Sequence, residues 1–322
     1  MSSLRIYLLA LLFLSLGQSV LRAQDDSVDS LLNALGSSVE STERVRYTFK
    51  STRIINLHSN ELAGVGALVF RIAHRFNDIS GGMYDLFGLD GANIRFALEY
   101  GISDRFMVAL GRNNFLKTGD ALVKVALLRQ TKGEKNFPFS ATFAHTSAFI
   151  TQKAADKNRK LSFLNRMSFT NQIVLTRKFN EAFSLALVPS WVHENTVPLA
   201  SDLNDIFAMG VGARFKLSSR VSLNGEYIYR LPSEAANIQY YANSLSLGFD
   251  IETGGHVFQL HLTNSAGMTE NRFIAFTDSR WTNSKAITIN NTTRTLQQNI
   301  FFGFNITRDF ALSSHKQGKH DK

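Results

Sequence analysis

Ser162–Lys178 reads SFLNRMSFTNQIVLTRK. Phe163, Met167, Phe169, Ile173 and Leu175 alternate with Ser162, Arg166, Ser168, Thr170, Gln172, Thr176 and Lys178, with Leu164 and Val174 as exceptions. Successive side chains of a strand point to opposite faces, so this period of two gives the segment one apolar and one wet face. The run is far longer than the roughly five or six residues of a typical globular strand.

The same pattern recurs along the chain. Phe207, Met209, Val211, Ala213, Phe215 and Leu217 alternate with Gly210, Gly212, Arg214 and Lys216, and Ile300, Phe302, Phe304, Ile306 and Phe310 alternate with Asn299, Gly303, Asn305, Thr307 and Asp309. Twelve such segments are expected, over 62–76, 92–102, 105–114, 120–130, 138–149, 162–179, 182–193, 205–217, 220–230, 239–251, 255–263 and 298–310. A soluble sandwich also alternates, but here the connections are lopsided: short ones follow every second segment and mostly long ones follow the others. An even strand number with short turns at one end and long loops at the other is the pattern of an outer-membrane barrel, whose short turns and termini face the periplasm. The aromatics fit two interfacial girdles. Phe106, Phe179, Phe183, Phe215, Phe249, Phe258 and Phe310 fall near the short turns; Phe149, Phe163, Trp191, Tyr227, Tyr229 and Tyr241 fall near the long loops. The fold expected is therefore all-β, a closed antiparallel transmembrane β-barrel of about twelve strands.

Composition agrees. Of 322 residues 44% are hydrophobic and only 19% charged, with 26 Phe, 4 Pro and no Cys, which excludes disorder, disulfide frameworks, thiolate zinc sites and cysteine nucleophiles. The formal charge of +9 is spread along the chain rather than clustered, so no nucleic-acid partner is expected. Residues 1–23 have a basic start, an apolar run over Ile6–Leu16 and a small, polar exit: a signal peptide for export, too short to span a bilayer. Residues 24–61 are expected to form a periplasmic or lumenal segment, with a short amphipathic helix within Asp25–Ser41. Tyr47–Leu57 has no place in an even count of spanning strands, so it is expected in the lumen or across the periplasmic mouth. The barrel follows over 62–310 and a basic tail over 311–322.

Several stretches together resemble the domain-of-unknown-function 5777 family of outer-membrane β-barrels from the Bacteroidota. They are Thr48–Asn56 (TFKSTRIIN), Phe70–Phe76 (FRIAHRF), Phe87–Tyr100 (FGLDGANIRFALEY), Asn264–Thr277 (NSAGMTENRFIAFT) and Phe302–Phe310 (FGFNITRDF). The resemblance covers most of the exported chain and implies an outer-membrane barrel; it brings no activity with it. The tail after Phe310 departs from the common barrel ending on a final aromatic residue.

If the apolar faces meet lipid, the wet faces line the lumen. Alternation then gives Arg71, Arg75, Arg95, Lys124, Arg166, Arg214 and Arg230 against Glu99, Asp120, Glu226 and Asp250 as pore-lining candidates. An excess of basic side chains favours anions in a pore, whereas pairing with opposite charges on adjacent strands would merely hold the wall together. Asn264–Gln297 carries Phe273, Ile274, Phe276 and Trp281, more apolar surface than an exposed loop of this length normally carries, and so is expected to fold into the lumen or to dock a partner, with a solvated, partly disordered loop as the third alternative. His145 and Ser147 share one face two residues apart, a spacing that a hydrolytic site could use, but nothing else in the sequence points to them. His256 and His261 fall on opposite faces and cannot share a metal from one strand. Gly64 with Gly66 and Gly210 with Gly212 lie inside strands with no helix following, unlike phosphate loops. We therefore expect no enzyme, no catalytic residues, no metal and no cofactor. The expected partners are outer-membrane lipid and a small polar solute. A porin-like channel for small polar or anionic solutes is the first expectation, and a structural or partner-binding barrel with a plugged lumen, in an envelope or secretion complex, is the second.

Overall fold

The computed structural model describes residues 42–153, 162–198, 202–232, 240–289 and 292–311. The signal peptide, the helix expected within Asp25–Ser41 and the tail beyond 311 lie outside the described residues.

Twelve strands close into one barrel, each antiparallel to both neighbours. They are β1 (Ala67–Asp78), β2 (Ala92–Ser103), β3 (Phe106–Asn113), β4 (Thr118–Leu128), β5 (Ser140–Ile150), β6 (Met167–Lys178), β7 (Phe183–Glu194), β8 (Asp205–Lys216), β9 (Val221–Arg230), β10 (Ser244–Thr253), β11 (His256–Thr263) and β12 (Phe301–Ala311). Pairing of β12 with β1, Ile306 opposite Ile72, closes the ring. Closure leaves no strand edge unpaired, which is what allows strands to cross hydrocarbon. Among the described residues no helix is long and apolar enough to cross a membrane. Each expected segment overlaps one strand, and the connections are 104–105, 129–139, 179–182, 217–220 and 254–255 at one end against 79–91, 114–117, 151–166, 195–204, 231–243 and 264–300 at the other, so the asymmetry holds except at 129–139 and 114–117.

Alternation decides which side chain goes where. On β5, Ser140, Thr142, Ala144, Thr146 and Ala148 are buried inward, while Phe143, His145, Ser147 and Phe149 face out. Phe96, Leu98, Leu110, Phe207, Leu247 and Leu260 are exposed on the outer surface of the wall. Phe215, Phe249 and Phe310 are exposed toward the short turns, and Phe163, Trp191, Tyr227 and Tyr229 toward the long loops. Tyr241 departs from the expected girdle: it is buried, its hydroxyl donates to Asp202 Oδ2 at 2.7 Å, and its ring meets Phe276 edge-on. Pro189 interrupts the ladder between β6 and β7, whose pairing resumes only at Gln172–Ser190 on one side and Leu175–Leu187 on the other.

Small inward side chains on β5, β6 and β7 leave room inside, and two segments fill it. Residues 48–59 are buried except Lys50, as is most of the stretch from Asn264 to Ser279, which includes the short helix α1 (Glu270–Ala275).

Candidate functional site in the barrel lumen

The inner wall has two chemically distinct sides. Val174, Ala186, Val188, Val192, Ile206, Ala208 and Ile228, on β6–β9, form an apolar surface. This departs from a uniformly wet lumen, and Val174, an exception to the alternation by hydropathy, faces inward because the inserted segments supply it with apolar partners. The other side, centred on β1–β4 and β10–β12, carries buried Arg71, Arg75, Arg95, Glu99, Asp120, Lys124 and Asp250.

Residues 52–59 turn back on themselves inside this wall. Ile54 N–H donates to Leu57 O at 2.8 Å and Ser59 N–H to Thr52 O at 3.1 Å. The tip is then held from all sides. Glu226 on β9 accepts from the backbone N–H groups of Ile55, Asn56 and Leu57 at 3.3, 3.0 and 3.0 Å. Gln259 donates to Ile54 O at 2.7 Å, and Arg75 to Asn56 Oδ1 at 2.9 Å. Lys124 Nζ donates to Thr52 O at 2.9 Å and Glu61 O at 2.7 Å. Thr52 Oγ1 donates to Glu99 Oε2 at 2.6 Å, and Arg71 Nη2 to Ser51 Oγ at 3.0 Å. Buried backbone groups outside a sheet need such partners, and here wall side chains provide them. On the apolar side Ile54 and Leu57 enter notches at Gly212 and Gly210, where any Cβ would come within 2.4 and 2.8 Å of their methyl groups. Those two glycines are thus sites of close packing.

The second segment comes from the long-loop end. Phe273 and Ile274 of α1 are each 1% exposed and join the same apolar cluster as Ile54 and Leu57. Arg53 joins the two segments, its guanidinium 2.5 Å from Glu270 Oε1, with His58 Nε2 3.0 Å from the same oxygen. Burial, reinforced by Arg53, pulls His58 down to about 3, so it is neutral. Glu270 is buried too, which would raise it, but Arg53 and His58 hold it well below the ordinary carboxylate range. Arg75 also reaches the loop by donating to Ser265 O.

The expected pore-lining residues now have definite places. Arg71 pairs with Glu99 at 2.9 Å, and Arg95 with Asp120 at 2.5 Å, so part of the charge does tie strands together. Lys124, Arg75 and Glu226 are turned onto the inserted segment. Asp250 accepts from Gln259 at 2.9 Å, and the buried Arg214 Nε has no hydrogen-bond partner among the described residues. Arg230 stacks on the ring of Tyr241, 4.9 Å away. Arg166 differs: it ends a short 3-10 turn (Leu164–Arg166) before β6, half-buried, and donates to Gln152 O at 2.7 Å. It sits at the long-loop end because the chain at Phe163 is helical in conformation and joins the barrel only at Met167. Arg53, Asn56, His58 and Glu270 were not among the expected site residues; their signal was indirect, a strand-like stretch with no strand to be and an apolar run in a long loop.

Two cavities approach the inserted segments from opposite ends. One of about 390 Å³ opens at the short-turn end, where Lys50, Thr52, Glu61, Arg71, Glu252 and Asp309 contribute to its lining. The other, about 140 Å³, lies at the long-loop end against Tyr241, Arg272, Phe276 and Arg294. They share no lining residue.

Comparison with known proteins places the sequence. The pattern of a family described as a membrane-bound β-barrel domain (DUF5777) matches residues 49–310. No curated protein matches the sequence. Among solved structures the NanC porin is similar at a TM-score of 0.46 and 8% identity, over 75% of this chain and 98% of that one. The KdgM porin gives 0.43 and 8% over 76% and 99%, and an outer-membrane channel from Pseudomonas putida F1 gives 0.40 and 13% over 78% and 98%.

Proposed function

The chain belongs to the DUF5777 family of membrane-bound β-barrel domains, and from that premise we propose that it is an outer-membrane channel for small polar or anionic solutes, closed in the described state by its own N-terminal segment. On this reading residues 1–23 direct export, 24–61 carry the plug, 62–310 form the conduit, and its partners are membrane lipid and the passing solute. The observation that carries the reading is the pair of cavities entering from opposite mouths: the short-turn one ends on plug residues Phe49–Thr52, the long-loop one on the inserted Ser265–Asp278 stretch that Arg53 ties to the plug, and the plug itself is held to the wall largely by polar contacts. With the plug withdrawn, six basic wall residues (Arg71, Arg75, Arg95, Lys124, Arg214, Arg230) stand against five acidic ones (Glu99, Asp120, Glu194, Glu226, Asp250), a slight bias toward anions. The reading assigns no chemistry to the lumen.

The Ile54 and Leu57 notches favour a second reading, a structural or partner-binding barrel whose plug never leaves. Glu226→Ala separates the two. Each hydrogen bond from a plug N–H to that carboxylate contributes about 1.5–3 kcal/mol. In proteoliposomes loaded with a small anion, a channel should leak several-fold faster as Glu226→Ala than as wild type. A permanently plugged barrel should leak equally slowly in both.

A further inference from the structure

The outer wall of the barrel holds a second constellation, far from the plug in chemical character. On β5 the outward positions include His145 and Ser147, and on β6 Asn171 lies directly opposite His145. Asn171 Oδ1 is 2.8 Å from His145 Nδ1, and His145 Nε2 is 2.9 Å from Ser147 Oγ. An amide oxygen only accepts, so His145 Nδ1 carries its proton toward Asn171 and the Nε2 lone pair faces the serine hydroxyl. The three side chains therefore stand in the order nucleophile, base, orienting group, each within hydrogen-bond reach of the next.

The surroundings are those of a lipid site. All three side chains are partly open on the outer surface. The residue beside Ser147 on β4 is the exposed Ala121, and Phe149 folds over Gly119, where a Cβ would meet its ring at 2.4 Å. Phe169, opposite Ser147 on β6, stacks near His145 with 6.3 Å between ring centroids. The serine thus lies in a shallow recess with a small floor and aromatic sides, open laterally to acyl chains. Its depth is also informative. Ser147 is three residues from Ile150, the end of β5 at the long loops, about 10 Å along the strand. Trp191, opposite Asn171 on β7, is 41% exposed and donates its indole N–H to Asp205 Oδ1 at 2.8 Å, as an amphipathic ring does where hydrocarbon gives way to head groups. Lipid ester bonds occupy that boundary.

We propose that Ser147, His145 and Asn171 form a site that hydrolyses acyl esters of glycerophospholipids entering from the outer leaflet. Ser147 Oγ attacks the ester carbonyl while its proton passes to His145 Nε2. The bond to the glycerol oxygen breaks, that oxygen takes the proton from Nε2, and the acyl group stays on Ser147. Water then attacks the acyl carbonyl and gives a proton to Nε2; the bond from the acyl carbon to Ser147 Oγ breaks, Oγ takes that proton from Nε2, and the fatty acid leaves. Ser147 and His145 are the catalytic residues; Asn171 is a positioning residue that fixes the tautomer.

The site goes beyond the channel reading and is independent of it. The alternative is that three polar groups merely satisfy one another on a lipid-facing wall. To separate these, the exported chain is folded in micelles containing a diacyl phosphatidylethanolamine, with a fluorophosphonate probe as the second readout. The site predicts fatty-acid release and a phosphonate adduct on Ser147, both lost in Ser147→Ala, and release reduced at least about a hundredfold in His145→Ala. Asn171→Ala should lower kcat about tenfold with KM within about twofold, and Asn171→Asp should restore it. Heat-modifiable folded wild type that takes no label and releases fatty acid no faster than Ser147→Ala would overturn the proposal. So would hydrolysis of a water-soluble ester without any of phospholipid, since the lipid assignment would then be wrong.

Discussion

Gly111 has no side chain, and that lets Arg95 on β2 meet Asp120 on β4 across the strand between them: a Cβ there would lie 2.6 Å from the guanidinium and from both carboxylate oxygens. Gly111→Val should force this buried pair apart and cost about 3–5 kcal/mol, read as a lower midpoint of urea unfolding in micelles. A second prediction at this scale concerns acid. His58 stays neutral in the closed state down to about pH 3, whereas released into water it takes a proton below its ordinary 6.5. Glu270 stays ionised well below its ordinary 4.5 and on release protonates near that value. Both therefore bind protons more readily when the clasp formed by Arg53, His58 and Glu270 opens, so both favour opening as the pH falls, His58 from about 6.5 and Glu270 from about 4.5. Glu61, raised by burial, works in the opposite direction. Open events should become more frequent between pH 7 and pH 4 in wild type and change less in His58→Gln; a wild type indifferent to pH would refute the clasp. Strand alternation assigns faces without further information, so the inward burial of Arg71, Arg75, Arg95, Glu99 and Lys124 follows from sequence, whereas the place of Arg166 in a turn ahead of β6 does not. Arg53, Asn56 and His58 were not legible, because a turned plug has no period, and Asn171 completes the Ser147–His145 pair only through a register that the sequence does not print.

The strands were legible almost to their ends, since lipid on one side and polar filling on the other keep the period of two free of conflict. The ends shifted where tertiary contacts took over. The stretch 62–66, expected as strand, crosses the mouth instead, with Val65 bridged in parallel to Gly101 before β1 begins at Ala67. What could not be read was how the two inserted pieces dock, because that depends on the fit of Ile54 and Leu57 to bare backbone at Gly212 and Gly210. Ile54→Ala and Leu57→Ala should each weaken plug anchoring by about 2–5 kcal/mol. Hydrogen exchange of the amides in 52–59 should then accelerate while that of β5 and β6 stays unchanged. Acceleration spread evenly over the barrel would instead make the plug an inseparable part of its core.

At the scale of the whole molecule, an antiparallel barrel of twelve strands encloses a lumen whose polar side would serve solutes and whose apolar side serves the plug. Arg71→Gln, Arg75→Gln and Arg214→Gln together, placed in a plug-loosened background, should move the reversal potential away from anion preference; an unchanged potential would remove these residues from the selectivity account. The most direct test of the central claim is single-channel current in a planar bilayer from residues 24–322 as wild type and as Arg53→Ala/Glu226→Ala, which removes the Arg53 tie of the plug to the loop and the Glu226 tie of its tip to the wall. Closure by the plug predicts a wild type that is silent or opens only briefly, and a double variant giving steady ohmic steps with anion preference. A double variant that folds, shows the heat-modifiability of a barrel and still passes no current would contradict it.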